Sequence, residues 1–318
     1  MNYRKINNTN LNLSSVSLGT WKYREGISDK QTWRNIFHTA FSQGLNYFDT
    51  SLSYDNGNGE KFLGSLWKDL PRQKVFVGTK CFFPTGPGVE DRGLSRKHIF
   101  KCVDLSLSHL NTDYIDLYQC HRWDVAVPIE ETIDAMDTLV NQGKIRHWGV
   151  GSATSAQILE AHNKANLASK SMPVSLQHVY NMFNRTVETE ILECCRKTDM
   201  GLIVYSPLAQ GVLTGKYSQG AIPEFSRASV DTERQTMWDF QEEKLRIAEK
   251  IKELAGQWGV SASTLALAWC LRQNEVCTVI TSASSVAQLQ ENLKASDYSI
   301  SFKQGQNLEA VFTRNNFN

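Results

Sequence analysis

Eight short runs rich in apolar and β-branched residues recur along the chain, at 16–20, 45–49, 75–80, 114–120, 147–150, 174–178, 202–205 and 276–280. Between them lie longer stretches with helical spacing of apolar residues, at 30–42, 60–68, 95–109, 129–141, 155–166, 187–197, 243–256, 261–272 and 286–294. Such alternation marks parallel strands joined by helical crossovers. Eight units fit a closed (β/α)8 TIM barrel better than an open doubly wound sheet. A length of 318 residues agrees, because α/β barrels reach this size as one unit, so residues 1–318 read as a single barrel domain with its active site at the C-terminal mouth. Gly44, Gly143 and Gly201 each stand between a helical stretch and a strand, where a left-handed helix end is expected. Pro128 precedes a helix start, where its missing N–H costs little. The rival open sheet rests on Gly149-Val150-Gly151 after a strand. A dinucleotide fingerprint needs glycine where Thr154 stands and an acidic residue about 20 positions on, and neither is present. Residues 210–240, after the seventh strand, exceed normal loop lengths and read as a lid.

Charge excludes some functions. With 34 Lys and Arg against 33 Asp and Glu, the chain lacks the basic excess of a nucleic-acid binder. No segment approaches the ~20 apolar residues that cross a bilayer, and the polar first residues do not resemble a secretory signal, so neither membrane insertion nor export is expected. Seven cysteines without a Cys-x-x-Cys pair, set mostly among apolar residues, fit reduced core thiols and a cytoplasmic location. The seven histidines show no H-x-x-x-H or H-E-x-x-H spacing with acidic ligands, so no metal site is expected.

In such a barrel the chemistry sits where strands end at their carboxyl termini. Asp49 ends the second run, Lys80 the third, and His121 follows the fourth, with Tyr54 five residues beyond Asp49. A lysine buried there needs a carboxylate partner, and Asp49 is placed to provide it. A tyrosine beside that ammonium has its phenolate favoured, so its pKa is expected to fall from about 10. Tyr54 is thus a candidate general acid.

These residues carry a family resemblance. Phe48-Asp49-Thr50-Ser51 with Tyr54, the Gly57-Asn58-Gly59-Glu60 turn, Lys80, His121, Tyr205-Ser206-Pro207-Leu208, and Ser284 with Gln288, Glu291 and Asn292 resemble the aldo-keto reductases in order and spacing. The similarity covers almost the full length. It is strongest to the branch of potassium-channel β subunits and their bacterial relatives, through Arg92 to Ile99, Gly215-Lys216-Tyr217 and Ser226-Arg227-Ala228-Ser229.

The resemblance implies a barrel that binds NADPH without a Rossmann module and passes hydride to a small-molecule carbonyl. Tyr54 would give the proton, Lys80 paired with Asp49 would tune it, and His121 would hold the substrate oxygen. Trp21 and Trp123 would wall the substrate pocket together with Tyr54 and His121. Carried over residue by residue, the nucleotide contacts would be Thr20, Trp21, Asp49, Ser152, Gln177 for the carboxamide, Tyr205 against the nicotinamide, and Ser206, Pro207, Leu208, Gly211 and Lys216 near the pyrophosphate. Arg227, Ser284 and Gln288 would complete the adenosine 2′-phosphate end, with Glu291 and Asn292 at the adenine, and Ser282 would be a further cofactor contact. Many members place Ser-Asn after the fifth strand, where this chain has Gly151-Ser152. Residues 281–293 hold no Lys or Arg, so a 2′-phosphate would need Arg227 or Lys216 for charge.

Aldehyde reduction leads among the functions. A second function is a nucleotide-sensing accessory subunit of a membrane partner, although the channel subunits tend to carry asparagine where this chain has His121. A third is a Schiff-base aldolase or isomerase using Lys80, which pairing with Asp49 disfavours. The branch also leaves room for a homo-oligomer.

Overall fold

The computed structural model describes residues 1–217, 222–223, 229 and 241–313. Eight parallel strands close into a barrel: β3 (Val16–Gly19), β4 (Tyr47–Asp49), β5 (Phe76–Cys81), β6 (Ile115–Cys120), β7 (Ile145–Gly151), β8 (Ser175–Val179), β9 (Gly201–Tyr205) and β10 (Val276–Thr281), with β10 pairing back onto β3. The eight runs read from the sequence are these strands. Helices α1 (Lys30–Ser42), α2 (Asn58–Gly64), α3 (Arg96–Leu110), α4 (Ile129–Asn141), α5 (Ser155–Leu167) and α6 (Ile191–Thr198) alternate with them. Then α7 (Glu242–Gln257) and α8 (Ala262–Leu271) precede β10, and α9 (Val286–Leu293) and α10 (Phe302–Thr313) follow it. This is the (β/α)8 architecture.

Local chemistry starts the helices where the periodicity places them. Asp29 accepts from the N–H groups of Gln31 and Thr32, Ser261 from Thr264, and Thr154 forms a capping box with Gln157, which satisfies otherwise orphaned donors. The α1 face of Trp33, Ile36, Phe37 and Ala40 is buried against the sheet at helical spacing. Gly44 and Gly143 have the left-handed φ expected at helix ends, but Gly201 does not. Asp199 takes that conformation at the end of α6, because a short polar side chain tolerates it.

Two features escape the periodicity, helix α10 and an amino-terminal hairpin. A hairpin of β1 (Tyr3–Lys5) and β2 (Asn12–Ser14) precedes the barrel, and Ile6, Leu11 and Leu13 are buried with Tyr47, Leu117, Ile203 and Cys277. The hairpin thereby plugs the amino-terminal end, and the Tyr47 hydroxyl fills the space that a side chain at Gly78 would need. Interiors are packed close to crystal density, so the carboxyl-terminal mouth is the end left hollow. All seven cysteines are buried and free. No described helix is long and apolar enough to cross a membrane. Of the expected lid, residues 218–221, 224–228 and 230–240 lie outside the described residues.

Candidate active site

The register of β4, β5 and β6 brings the strand-end polar residues together. Asp49 pairs in register with Gly78, and Lys80, two residues further up β5, pairs with Gln119, so His121 stands just above on the neighbouring strand. Lys80 is buried, and its Nζ donates to Asp49 Oδ1 at 2.5 Å, to the Thr50 carbonyl at 2.8 Å and to the Tyr54 hydroxyl at 3.4 Å. Gln177 Nε2 donates to the other carboxylate oxygen at 2.9 Å. Tyr54 meets the His121 ring edge-on at 5.9 Å, and Phe83 packs on the far side of that ring at 4.8 Å. Asp49, Tyr54, Lys80 and His121 thus converge from three consecutive βα units.

Electrostatics decide the protonation states. Burial pulls the Lys80 ammonium down, but Asp49 and Tyr54 together lift it above its ordinary value. With every N–H of the ammonium engaged, Lys80 is poorly set up as a Schiff-base nucleophile. The sequence expectation for Tyr54 is reversed: burial raises the phenol more than the adjacent ammonium lowers it, with Asp49 adding to the rise. Sequence spacing locates the ammonium but carries no measure of desolvation. Tyr54 therefore holds its proton at neutral pH. His121 is pushed down to about 2, first by burial and then by Lys80 and Arg122, so its ring is neutral. Its Nδ1 lies 3.1 Å from Ser51 Oγ.

The cluster opens into a cavity of about 1180 Å³, large for a small-molecule site. Trp21, Ser152, Gln177, Tyr205, Ser206, Pro207, Leu208, Gly211, Lys216, Ser282, Gln288, Glu291 and Asn292 all line it. Several anticipated residues do not. Thr20 is fully buried and bonded to Thr50 Oγ1 at 2.7 Å. Ser284 is exposed and reaches the cavity only through Gln288 Oε1, to which its hydroxyl donates at 2.9 Å. Trp123 packs against the hydrophobic core and not on the cavity, because three residues beyond the end of β6, and one beyond the cavity-lining Arg122, the side chain is directed back to the core. Arg227 lies outside the described residues.

The wall includes unusual backbone. Ser152, Ser206 and Gln210, which line it, and Phe82 and Ala209 next to lining residues all have positive φ, and such conformations gather at functional sites. Asn181 Nδ2 donates to the Ser206 carbonyl at 3.0 Å and holds that loop. Gly151 has a steric reason: a Cβ there would lie 2.9 Å from the carbonyl oxygens of both Cys120 and His121, so the Ser of the Ser-Asn pair does not fit at this position. Ser152 instead accepts from Arg122 Nη1 at 2.7 Å, with the Tyr205 hydroxyl at 3.4 Å. Arg122, Asn181, Phe83 and Lys244 line this cavity and were not singled out from sequence. Only the adjacency of Arg122 to His121 could have pointed to one of them.

The donor set suits an extended nucleotide. Ser282 Oγ and Gln210 Oε1 are buried polar atoms without a partner among the described residues, both in cavity-lining residues, and such atoms are costly unless a ligand satisfies them. With Gln177 Nε2 committed to Asp49, its Oε1 remains as an acceptor for a ligand amide.

A probable voltage-gated potassium channel subunit beta of Arabidopsis thaliana is 38% identical over 301 residues, covering 93% of this chain and 92% of its own length. A protein of the same printed name from Oryza sativa subsp. japonica is 37% identical over 301 residues, with 93% and 92% covered. A putative voltage-gated potassium channel subunit beta of Schizosaccharomyces pombe is 36% identical over 304 residues, with 93% and 88% covered. The Aldo/keto reductase family model matches residues 15–312, which takes in every barrel strand, and the chain therefore belongs to the aldo/keto reductase family of oxidoreductases.

Proposed function

We propose that this chain is an NADPH-dependent reductase of aldehydes, and of ketones that fit the site, forming the corresponding alcohols. The observation that carries the reading is the buried Lys80–Asp49 pair with its ammonium on the Tyr54 hydroxyl, beside a neutral His121. The nucleotide, when bound, supplies the hydride that adds to the carbonyl carbon. Tyr54 gives its proton to the carbonyl oxygen, and Lys80 Nζ stabilises the phenolate left behind. With Ser51 Oγ donating to Nδ1, the His121 Nε2 carries the proton and donates a hydrogen bond to the same oxygen. General acid catalysis of this kind contributes about 10² to 10⁴, on the order of 3–5 kcal/mol of barrier. Gln177 and Ser152 would hold the carboxamide, Tyr205 would cover the ring, and Ser206 to Gly211 with Lys216 would approach the phosphates. Charge for a 2′-phosphate would come from Arg227 or Lys216. Seven buried free thiols fit a reducing cytoplasm.

Stopped-flow NADPH oxidation against an aldehyde panel tests this reading. Tyr54→Phe should lower turnover by about 10² to 10⁴ while NADPH still binds, and unchanged turnover would remove the proposal. The names of the relatives, voltage-gated potassium channel subunits beta, favour a second reading, an accessory subunit of a membrane channel. Tight NADPH binding without turnover of any aldehyde would support it.

A further inference from the structure

Arg122 is a cation of the cavity that stands directly beside the catalytic cluster. It directly follows His121, is half-buried, and lines the same space as Tyr54 and Phe83. Its Nη1 donates to the His121 carbonyl at 3.1 Å and to Ser152 Oγ at 2.7 Å. Its Nε and Nη2 have no partner, and the guanidinium has no carboxylate, among the described residues. Lys80 is neutralised by Asp49, and Arg24, whose Nη1 rests on the carbonyls of Trp21 and Tyr23 and which likewise meets no carboxylate among the described residues, follows β3 and is not among the charges that act on His121. A half-desolvated guanidinium with its donors open is costly unless an anion meets it.

Position separates two sources of that anion. The proposed adenosine end of the nucleotide lies after β10, and β6 stands four strands away around the closed barrel. Arg122 is therefore on the substrate side of the mouth, and its charge reaches both Tyr54 and His121. With Nη1 tied down, the N–H bonds left on Nε and Nη2 form a side-on fork that matches the two oxygens of a planar carboxylate. Phe83, packed on the His121 ring, and Trp21 supply apolar surface to the same cavity.

We propose that Arg122 is the receptor for a carboxylate on the substrate, so that the protein reduces carboxylate-bearing aldehydes in preference to their neutral counterparts. This rests on the reductase reading and names its substrate class. Because Nη1 is anchored at Ser152 and at the His121 carbonyl, the fork sits at a fixed place relative to the catalytic cluster, and a bound carboxylate fixes where the aldehyde falls.

The test uses the full chain with NADPH and two matched compounds, 4-carboxybenzaldehyde and methyl 4-formylbenzoate. The acid should exceed the ester in kcat/KM by about ten- to a hundredfold, the range of one or two charge-assisted hydrogen bonds. Arg122→Gln should collapse that acid-to-ester ratio, chiefly through KM, whatever loss the two substrates share. Arg122→Lys should restore part of it, because an ammonium keeps the charge but not the fork. Calorimetric titration with benzoate should show binding weakened by about tenfold or more in Arg122→Gln. A ratio equal in wild type and Arg122→Gln, with both compounds turned over, overturns this proposal and leaves the reductase reading standing. Turnover of neither compound overturns the reductase reading and the substrate preference with it. In that case, benzoate affinity that is insensitive to Arg122→Gln also eliminates the anion site.

Discussion

Asp49→Asn isolates the charge pair on which the site is built, because it removes the counter-charge of Lys80 and keeps the side-chain volume. The two side chains are 1% and 4% exposed, so water cannot replace the lost carboxylate. Stripping one partner from a buried pair costs about 3–5 kcal/mol, since the other charge stays behind. Asparagine Oδ1 can still accept one hydrogen bond from Nζ, and the Thr50 carbonyl remains, so the expected cost is the lower end, about 3 kcal/mol. At this chain length a kilocalorie shifts the melting point by about 2 °C, which gives a fall of about 6 °C. The pH dependence carries a sign. In the wild type the folded-state pKa of Lys80 is raised above 10.5, so its contribution is complete below that value and is lost only as pH climbs through the folded pKa. In Asp49→Asn burial dominates and the folded pKa drops below 10.5. The unfolded chain then binds the extra proton, and stability rises with pH by up to about 1.4 kcal/mol per unit. Urea unfolding at pH 6, 7.5 and 9, with melting curves alongside, measures both effects. A variant within about 1 kcal/mol of wild type, with no altered slope, would show that the pair is solvated and that the reasoning from burial is wrong.

Three further outcomes can be measured. His121 has its folded pKa lowered to about 2, so the pH profile of kcat/KM should show no limb near 6.5 that disappears in His121→Ala, and such a limb would contradict the neutral ring. The same shift makes His121 a liability in acid: the unfolded imidazole protonates below about 6.5, so its share of stability should fall progressively as pH drops from there, and His121→Ala should flatten that part of the curve. Arg227→Ala should raise the KM for NADPH about tenfold or more, as expected for a charge-assisted phosphate contact, and leave the KM for NADH much less affected. Equal effects on the two nucleotides would assign the phosphate charge elsewhere, with Lys216 and Lys244 as the cavity-lining cations to examine next.

The barrel was legible from sequence because each strand must be buried on both faces, which writes itself as a short continuous apolar run between amphipathic helices. For the same reason Asp49, Lys80 and His121 could be placed at one mouth before any coordinate was known: a polar residue ending such a run has only that place to go. The plugging hairpin was missed since strands of three residues are too short to show alternation. Helix α10 was missed too, with only Leu308 and Phe312 buried along it.

Amino-acid order alone determined the (β/α)8 repeat, the end of the barrel that carries the chemistry, and the polar residues at the strand ends, because these depend on periodicities and on position within a repeat. Only the tertiary structure decided that burial outweighs the ammonium at Tyr54, that Trp123 turns to the core, that Gly151 is forced by two carbonyl oxygens, and that Arg122 is left with an open fork. Each of these depends on distances between segments remote in sequence and on how much water remains between them, and neither quantity is encoded in local spacing.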